Sequence, residues 1–249
     1  MKRIHKISAV LFILTAAAFT SCSSDNEPID PAIIVNPGPD PNDPGESSGD
    51  YWPTAINNQW VFTTNGVVQA PMKIVSINTV AGNEYYTFNS QSGTGSSGLT
   101  GNAVMRLRKE GGNYYLRREE LVVAPAGGMP GSTTSGSEVI ILKDNVPANT
   151  TWTESYTQTT TYTDPAFPAI SMQVNAVNKI LETGGSVVSN GVTYADVIKT
   201  KLTQSVTFNG VTTVTTVFYW FAKDVGLVKY IMDSGTQIST SELQSFVLN

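Results

Sequence analysis

The sequence predicts an all-β domain: an antiparallel meander of long hairpins curled into a half-barrel or barrel-like sheet, with little or no helix in the mature domain. Three observations carry this. Charged residues are only 14% of the 249, while Thr and Ser number 30 and 23, a composition that suits strands and argues against coiled coils and helical bundles. Asn65-Gly66, Asn190-Gly191 and Asn209-Gly210 each lie between β-branched residues, the strongest short-range hairpin signal. Between the turns, apolar residues recur at every second position, the period of a strand with one buried face.

Taken from the N-terminus, residues 1–21 read as a secretory signal. Lys2, Arg3 and Lys6 precede an apolar run over 9–19 that is too short to span a bilayer as a finished helix. Phe19-Thr20-Ser21-Cys22 resembles a bacterial lipobox, with Phe19 in place of the usual Leu, so Cys22 is expected to carry lipid and become the mature N-terminus. Residues 22–49 hold six acids, no base and six of the 13 prolines. Such a segment cannot bury a core; it is expected to be a disordered tether, dispensable for folding, reaching at most about 85 Å if extended. Its start, Cys22-Ser23-Ser24-Asp25-Asn26-Glu27, resembles the acidic export signals of surface lipoproteins in Bacteroidota-type bacteria, which implies a lipid-anchored protein of the outer membrane exposed at the cell surface.

Residues 50–249 are expected to form one domain. Alternation and turn residues predict strands over 59–64, 67–79, 84–91, 103–110, 113–123, 138–143, 151–163, 170–182, 186–189, 192–208, 211–222, 226–232 and 236–248. The segment 170–182 also fits helical spacing through Ile170, Val174, Val177 and Leu181; it reads as a strand with a bulge near Ala176-Val177. The hairpin at Asn209-Gly210 pairs Phe208 with Val211. That register sets Ile198, Leu202, Val206, Val217, Tyr219 and Phe221 on one face, and Lys199, Lys201, Val214, Phe218 and Trp220 among threonines on the other.

Tyr51-Trp52-Pro53, Asn58-Gln59-Trp60-Val61-Phe62 and the run from Tyr219-Trp220-Phe221 to Gly226-Leu227-Val228-Lys229 resemble the opening and closing strands of TapB-like bacterial lipoproteins. The resemblance implies a curved antiparallel sheet similar to that of periplasmic lipoprotein carriers. The helices that would plug a carrier's concave face are missing from this sequence, and the aromatic residues themselves read as core packing.

The only histidine is His5 and the only cysteine Cys22. The domain therefore has no Ser-His-Asp triad, Cys-His pair, Cys/His zinc site, His-held haem or disulfide, and no cofactor or metal is expected. Twelve cations against 14 anions in residues 50–249 give no general case for nucleic acid. Gly93-Thr94-Gly95-Ser96-Ser97-Gly98 matches a dinucleotide-binding glycine pattern, but the next segment alternates like a strand instead of opening a helix, so it and the Gly-rich run 127–136 read as surface loops. Asp40-Pro41-Asn42-Asp43-Pro44-Gly45-Glu46 lacks EF-hand spacing and reads as linker. Adjacent Glu119 and Glu120 point to opposite strand faces and make no carboxylate pair.

One constellation remains. Across the Gly111-Gly112 turn, Arg108 faces Tyr115 and Arg106 faces Arg117, all on one face. Like charges opposed across a ladder repel, so an anion is expected beside them, either a ligand such as a carboxylate, phosphate or acidic sugar, or Glu119. The expectation is a non-enzymatic binding or structural module whose ligand is a glycan, an anion or a hydrophobic molecule. Its alternatives are a carrier of lipid or another hydrophobic ligand in a half-barrel cavity and an Asp/Glu-dependent glycan hydrolase.

Overall fold

The computed structural model describes residues 45–94, 100–208 and 210–249; Cys22 and most of the expected tether lie outside them. The described residues form seventeen strands and no helix. They are β1 (Gln59–Thr64), β2 (Val67–Val68), β3 (Met72–Val80), β4 (Asn83–Phe88), β5 (Gln91–Thr94), β6 (Thr100–Ala103), β7 (Met105–Glu110), β8 (Asn113–Arg118) and β9 (Leu121–Val123). There follow β10 (Ser132–Thr134), β11 (Ser137–Lys143), β12 (Thr151–Tyr162), β13 (Ile170–Ser189), β14 (Val192–Phe208), β15 (Val211–Ala222), β16 (Gly226–Asp233) and β17 (Ile238–Val247).

Every pairing is antiparallel, and the order is that of a meander. β12 through β17 pair each with the next. β17 then returns to β1, with Trp60 opposite Phe246, and β1 pairs with both β2 and β3. β4 and β5, β6 and β7, β8 and β9, β10 and β11 are successive halves of bent strands, so each bend lets one stretch of chain serve two regions of the sheet. The sheet coils on itself without completing a barrel. β10 pairs with β12 over Ser132–Thr134, opposite Thr160–Tyr162; beyond that point β11 and β12 part, and side chains cross the gap. The indole of Trp152 donates to the Ile140 carbonyl at 3.1 Å, and the Glu154 carboxylate accepts the Ile140 N–H at 3.0 Å.

The turns act as their sequences require. Asn65, Gly66, Asn190 and Gly191 all have φ between +46° and +83°, the left-handed pair of a tight hairpin turn. Phe208 pairs with Val211 and the predicted register holds along the ribbon: Ile198, Leu202, Val206, Val217 and Phe221 are buried on the inner face.

Several expectations change. The predicted strands 67–79 and 113–123 each divide, into β2 with β3 and β8 with β9; Glu119 and Glu120 therefore sit at a bend between strands and line one cleft together instead of facing apart. Strand β13 runs unbroken over 170–189, and its irregularities fall between Ile180 and Gly185 and on to Val187, not near Ala176-Val177. Gly184, at φ +66°, permits this irregularity because glycine adopts the left-handed conformation without cost. The ends of the first Gly-rich loop are strands β5 and β6, its centre 95–99 lying outside the described residues, and the second contains β10. β5 and β6 pair with each other across the first loop and β10 pairs back on β9, while β6 with β9 and β10 with β12 tie them into the sheet, which overrides weak local propensity. The domain also begins before Asp50. The Ser48 N–H and hydroxyl donate to Asp144 Oδ1 and its carbonyl at 3.1 and 2.8 Å, Ser47 donates to the same carboxylate, and Gly112 N–H donates to the Gly45 carbonyl at 3.1 Å.

The core lies inside the coil. Trp52 (2% exposed) and Trp60 (0%) meet edge to face with centroids 6.2 Å apart, and Phe88 and Phe221 pack on Trp52 at 5.7 and 5.8 Å. Gly226, at φ +104°, lets the chain pass close to both indoles: a Cβ there would lie 3.2 Å from Trp60 Nε1. A smaller cluster, Met172, Val174 and Val206 with Tyr156, Ile170 and Phe208 against it, fills the far part of the long ribbons.

Candidate functional site

The site is built on β4, β7, β8 and β11. Leu107 and Tyr114 enter the core, so alternation turns Arg106, Arg108, Tyr115 and Arg117 to the opposite face. The hairpin register is the expected one, Arg106 opposite Arg117 and Arg108 opposite Tyr115. Pairing of β4 with β7 and of β8 with β11 then brings Tyr85 and Glu138 alongside. Where these strands bend, a cleft of about 790 Å³ opens, lined among others by Tyr85, Arg106, Arg117, Glu119, Ser137 and Glu138.

Each arginine in the cleft has a carboxylate. One oxygen of Glu119 lies 3.0 Å from Nε of both Arg106 and Arg117, bridging the opposed pair. That oxygen and Arg106 Nε are buried with no aligned hydrogen bond, so their contact is one of charge rather than direction. Arg108 contacts Glu110 at 2.6 Å and Glu138 at 3.2 Å, and its guanidinium lies 3.5 Å over the Tyr115 ring. Burial works against the Arg108 charge, but the bonds to Glu110 and Glu138 outweigh it and hold the group protonated. Tyr85 donates to the other Glu138 oxygen at 2.8 Å, and Arg117 sits 5.5 Å from the Tyr85 ring centre.

The four sequence-selected residues thus come together, and the anion expected between Arg106 and Arg117 is Glu119, from their own hairpin. Tyr85 and Glu138 were not selected, because only ladders between strands far apart in sequence place them here. Glu138 had one signal: it begins an alternating segment whose other face holds Val139 and Ile141.

A second ionisable group lies at the gap between β11 and β12. Burial pushes the Glu154 carboxyl up to about 7, although its bond from Ile140 N–H and nearby Lys143 oppose the shift. The folded chain therefore holds a proton there that the unfolded chain releases near the ordinary carboxyl range, and stability falls as pH rises between the two values. Glu154→Gln keeps an acceptor for Ile140 without the charge. Melting at about pH 5 and about pH 8 should show a smaller loss in the variant; an identical loss in both proteins would assign the gradient elsewhere.

No protein-family model and no curated protein matches the chain. The fold is similar to the crystal structure of a candidate lipoprotein from Parabacteroides distasonis ATCC 8503, at 13% identity and TM-score 0.52 over 80% of this chain and 99% of that one. A second crystal structure, of a candidate exported protein with a YmcC-like fold from Bacteroides fragilis NCTC 9343, aligns at 11% identity and TM-score 0.43 over 80% of this chain and all of that one. The chain is thus an all-β protein with the curved antiparallel architecture of the first.

Proposed function

We propose that the chain is a lipid-anchored, non-enzymatic binding module of the bacterial cell surface, and that its cleft takes a neutral polyhydroxylated ligand, a glycan without net charge. The anchor rests on the lipobox ending at Cys22, and the candidate-lipoprotein designation of the Parabacteroides structure agrees with it. The ligand class rests on one observation: Arg106, Glu119 and Arg117 form a row whose side chains remain 25%, 26% and 35% exposed, in a cleft lined also by Glu120 and Glu138, so that its lining carries no net positive charge. Such a row offers N–H donors and carboxylate acceptors side by side, which suits hydroxyls that both donate and accept. An anionic ligand would have to displace Glu119 first. The interior, where a half-barrel carrier would hold lipid, is filled by Trp52, Trp60, Phe88 and Phe221, which favours a packed module over a carrier.

The test presents neutral and acidic oligosaccharides on one array to the parent protein, to the double variant Arg106→Gln with Arg117→Gln, and to Glu119→Gln. The parent should retain neutral glycans, the double variant should lose at least about tenfold in affinity, and Glu119→Gln should gain acidic ones. Retention of acidic glycans alone by the parent, or equal retention by the double variant, would overturn this reading.

A further inference from the structure

The outer face of β13 to β16 carries a feature unconnected with the cleft. Strand pairing sets Lys179, Lys201, Phe218 and Ile231 in one row, and Glu182, Lys199, Trp220 and Lys229 in the next. Phe218 and Trp220 lie 6.4 Å apart. Lys199 Nζ is 4.8 Å from the Trp220 ring centre, and both Lys199 and Lys201 are 5.9 Å from that of Phe218. Lys229 is paired with Glu242 at 2.6 Å. Among the described residues no carboxylate ion-pairs with Lys179, Lys199 or Lys201, although Lys179 and Lys201 are directly opposed, an arrangement that costs stability. Val177 and Val214, 40% and 45% exposed, extend the same face.

From these rows we infer that this face docks on an anionic lipid headgroup layer. The charge is complementary: three unpaired lysines lie together on a domain whose total is 12 cations against 14 anions, so the attraction is local and not a property of the whole chain. The aromatic content is complementary too, because indole and phenyl rings among lysines match the boundary between headgroups and acyl chains, where the rings bury and the ammonium groups stay at the phosphates. The face is broad and built on four laddered strands, so it meets a surface without reorganisation. The N-terminal segment leaves from the same end of β15, where Lys223 Nζ contacts the Ser48 carbonyl at 3.5 Å, three residues beyond Trp220.

The experiment removes the anchor as a source of membrane binding. The chain from residue 22 carrying Cys22→Ala is sedimented with vesicles of about three parts phosphatidylglycerol to seven of phosphatidylcholine, and with phosphatidylcholine alone, in about 0.05 M and about 0.5 M salt. It should bind the anionic vesicles, release at high salt and leave the neutral ones. Adding Lys179→Gln, Lys199→Gln and Lys201→Gln should weaken binding at least about tenfold. Glu182→Gln, which removes the one anion from these two rows, should strengthen it, a gain that misfolding would not produce. Equal sedimentation with both vesicle types, an unaffected triple variant, or retention on immobilised polygalacturonate without vesicle binding would overturn the assignment.

Discussion

Replacing Trp60 with alanine should cost about 3–5 kcal/mol, the range for removing a large aromatic side chain from a packed core. Trp60 is fully buried, stands edge to face with Trp52 and Phe88, and spends its indole N–H on the Val225 carbonyl at 2.7 Å. The substitution leaves a cavity against Gly226, whose missing Cβ was the condition for the indole's close approach, and strips a buried carbonyl of its donor. Urea unfolding followed by far-ultraviolet circular dichroism measures the loss. A change below about 1 kcal/mol would mean that the surrounding sheet collapses onto the gap. Phe218→Ala, on the opposite face of the same ribbon system, should cost much less.

Asp144→Ala should be the largest polar loss, about 2–4 kcal/mol. The carboxylate is 5% exposed and accepts from Ser47, from the Ser48 N–H at 3.1 Å and from the Tyr114 hydroxyl at 3.1 Å. That hydroxyl in turn reaches the Gly49 carbonyl at 2.9 Å and receives the Tyr51 N–H at 3.0 Å. Burial pushes the Tyr114 phenol well above its ordinary value, so it stays a neutral donor at any physiological pH. A chain beginning at Asp50 lacks Ser47 and Ser48 and should lose part of the same energy, whereas one beginning at Gly45 should melt with the full chain. If the Asp50 start melts together with the Gly45 start, residues 45–49 only rest on the fold.

The strand ends that meet at Asn-Gly or Gly-Gly turns, 64/67, 110/113, 189/192 and 208/211, were legible, because turn chemistry and alternation specify the closed end and the register of a hairpin; the breaks that divide 67–79 and 113–123, and the continuity of 170–189, lie away from those turns and were not. The Arg106–Arg117 and Arg108–Tyr115 pairs were readable for that reason. Strands β5, β6 and β10 were not: each is only three or four residues long and lies beside glycines that read as turn, and the pairings of β6 with β9 and of β10 with β12 are supplied by the curl of the sheet. The same limit hid Tyr85 and Glu138 from the cleft, since no tight turn fixes the register of β4 on β7 or of β8 on β11. Of the aromatic motifs, Tyr51, Trp52, Trp60, Phe62 and Phe221 are core as read while Trp220 faces outward, and the arrangement of the core, with Trp52 from outside the sheet closing on Trp60, depends on the return of β17 to β1. Residues 45–49 misled because Gly45, Ser47, Ser48 and Gly49 look like linker. What orders them is a buried aspartate nearly a hundred residues away.

The Asp144 clasp also has a mechanical consequence. Any pull on the chain from its N-terminal side reaches Ser47 and Ser48 before it reaches Trp52 or β1. The first bonds to carry load are therefore those to the Gly45 and Glu46 carbonyls from Gly112 and Asn145 and then the serine bonds to Asp144, while the ladder joining β1 to β17 and β3 stays relaxed. Releasing the clasp pays out five residues, about 17 Å of slack, and the sheet with its cleft stays folded while the leash lengthens.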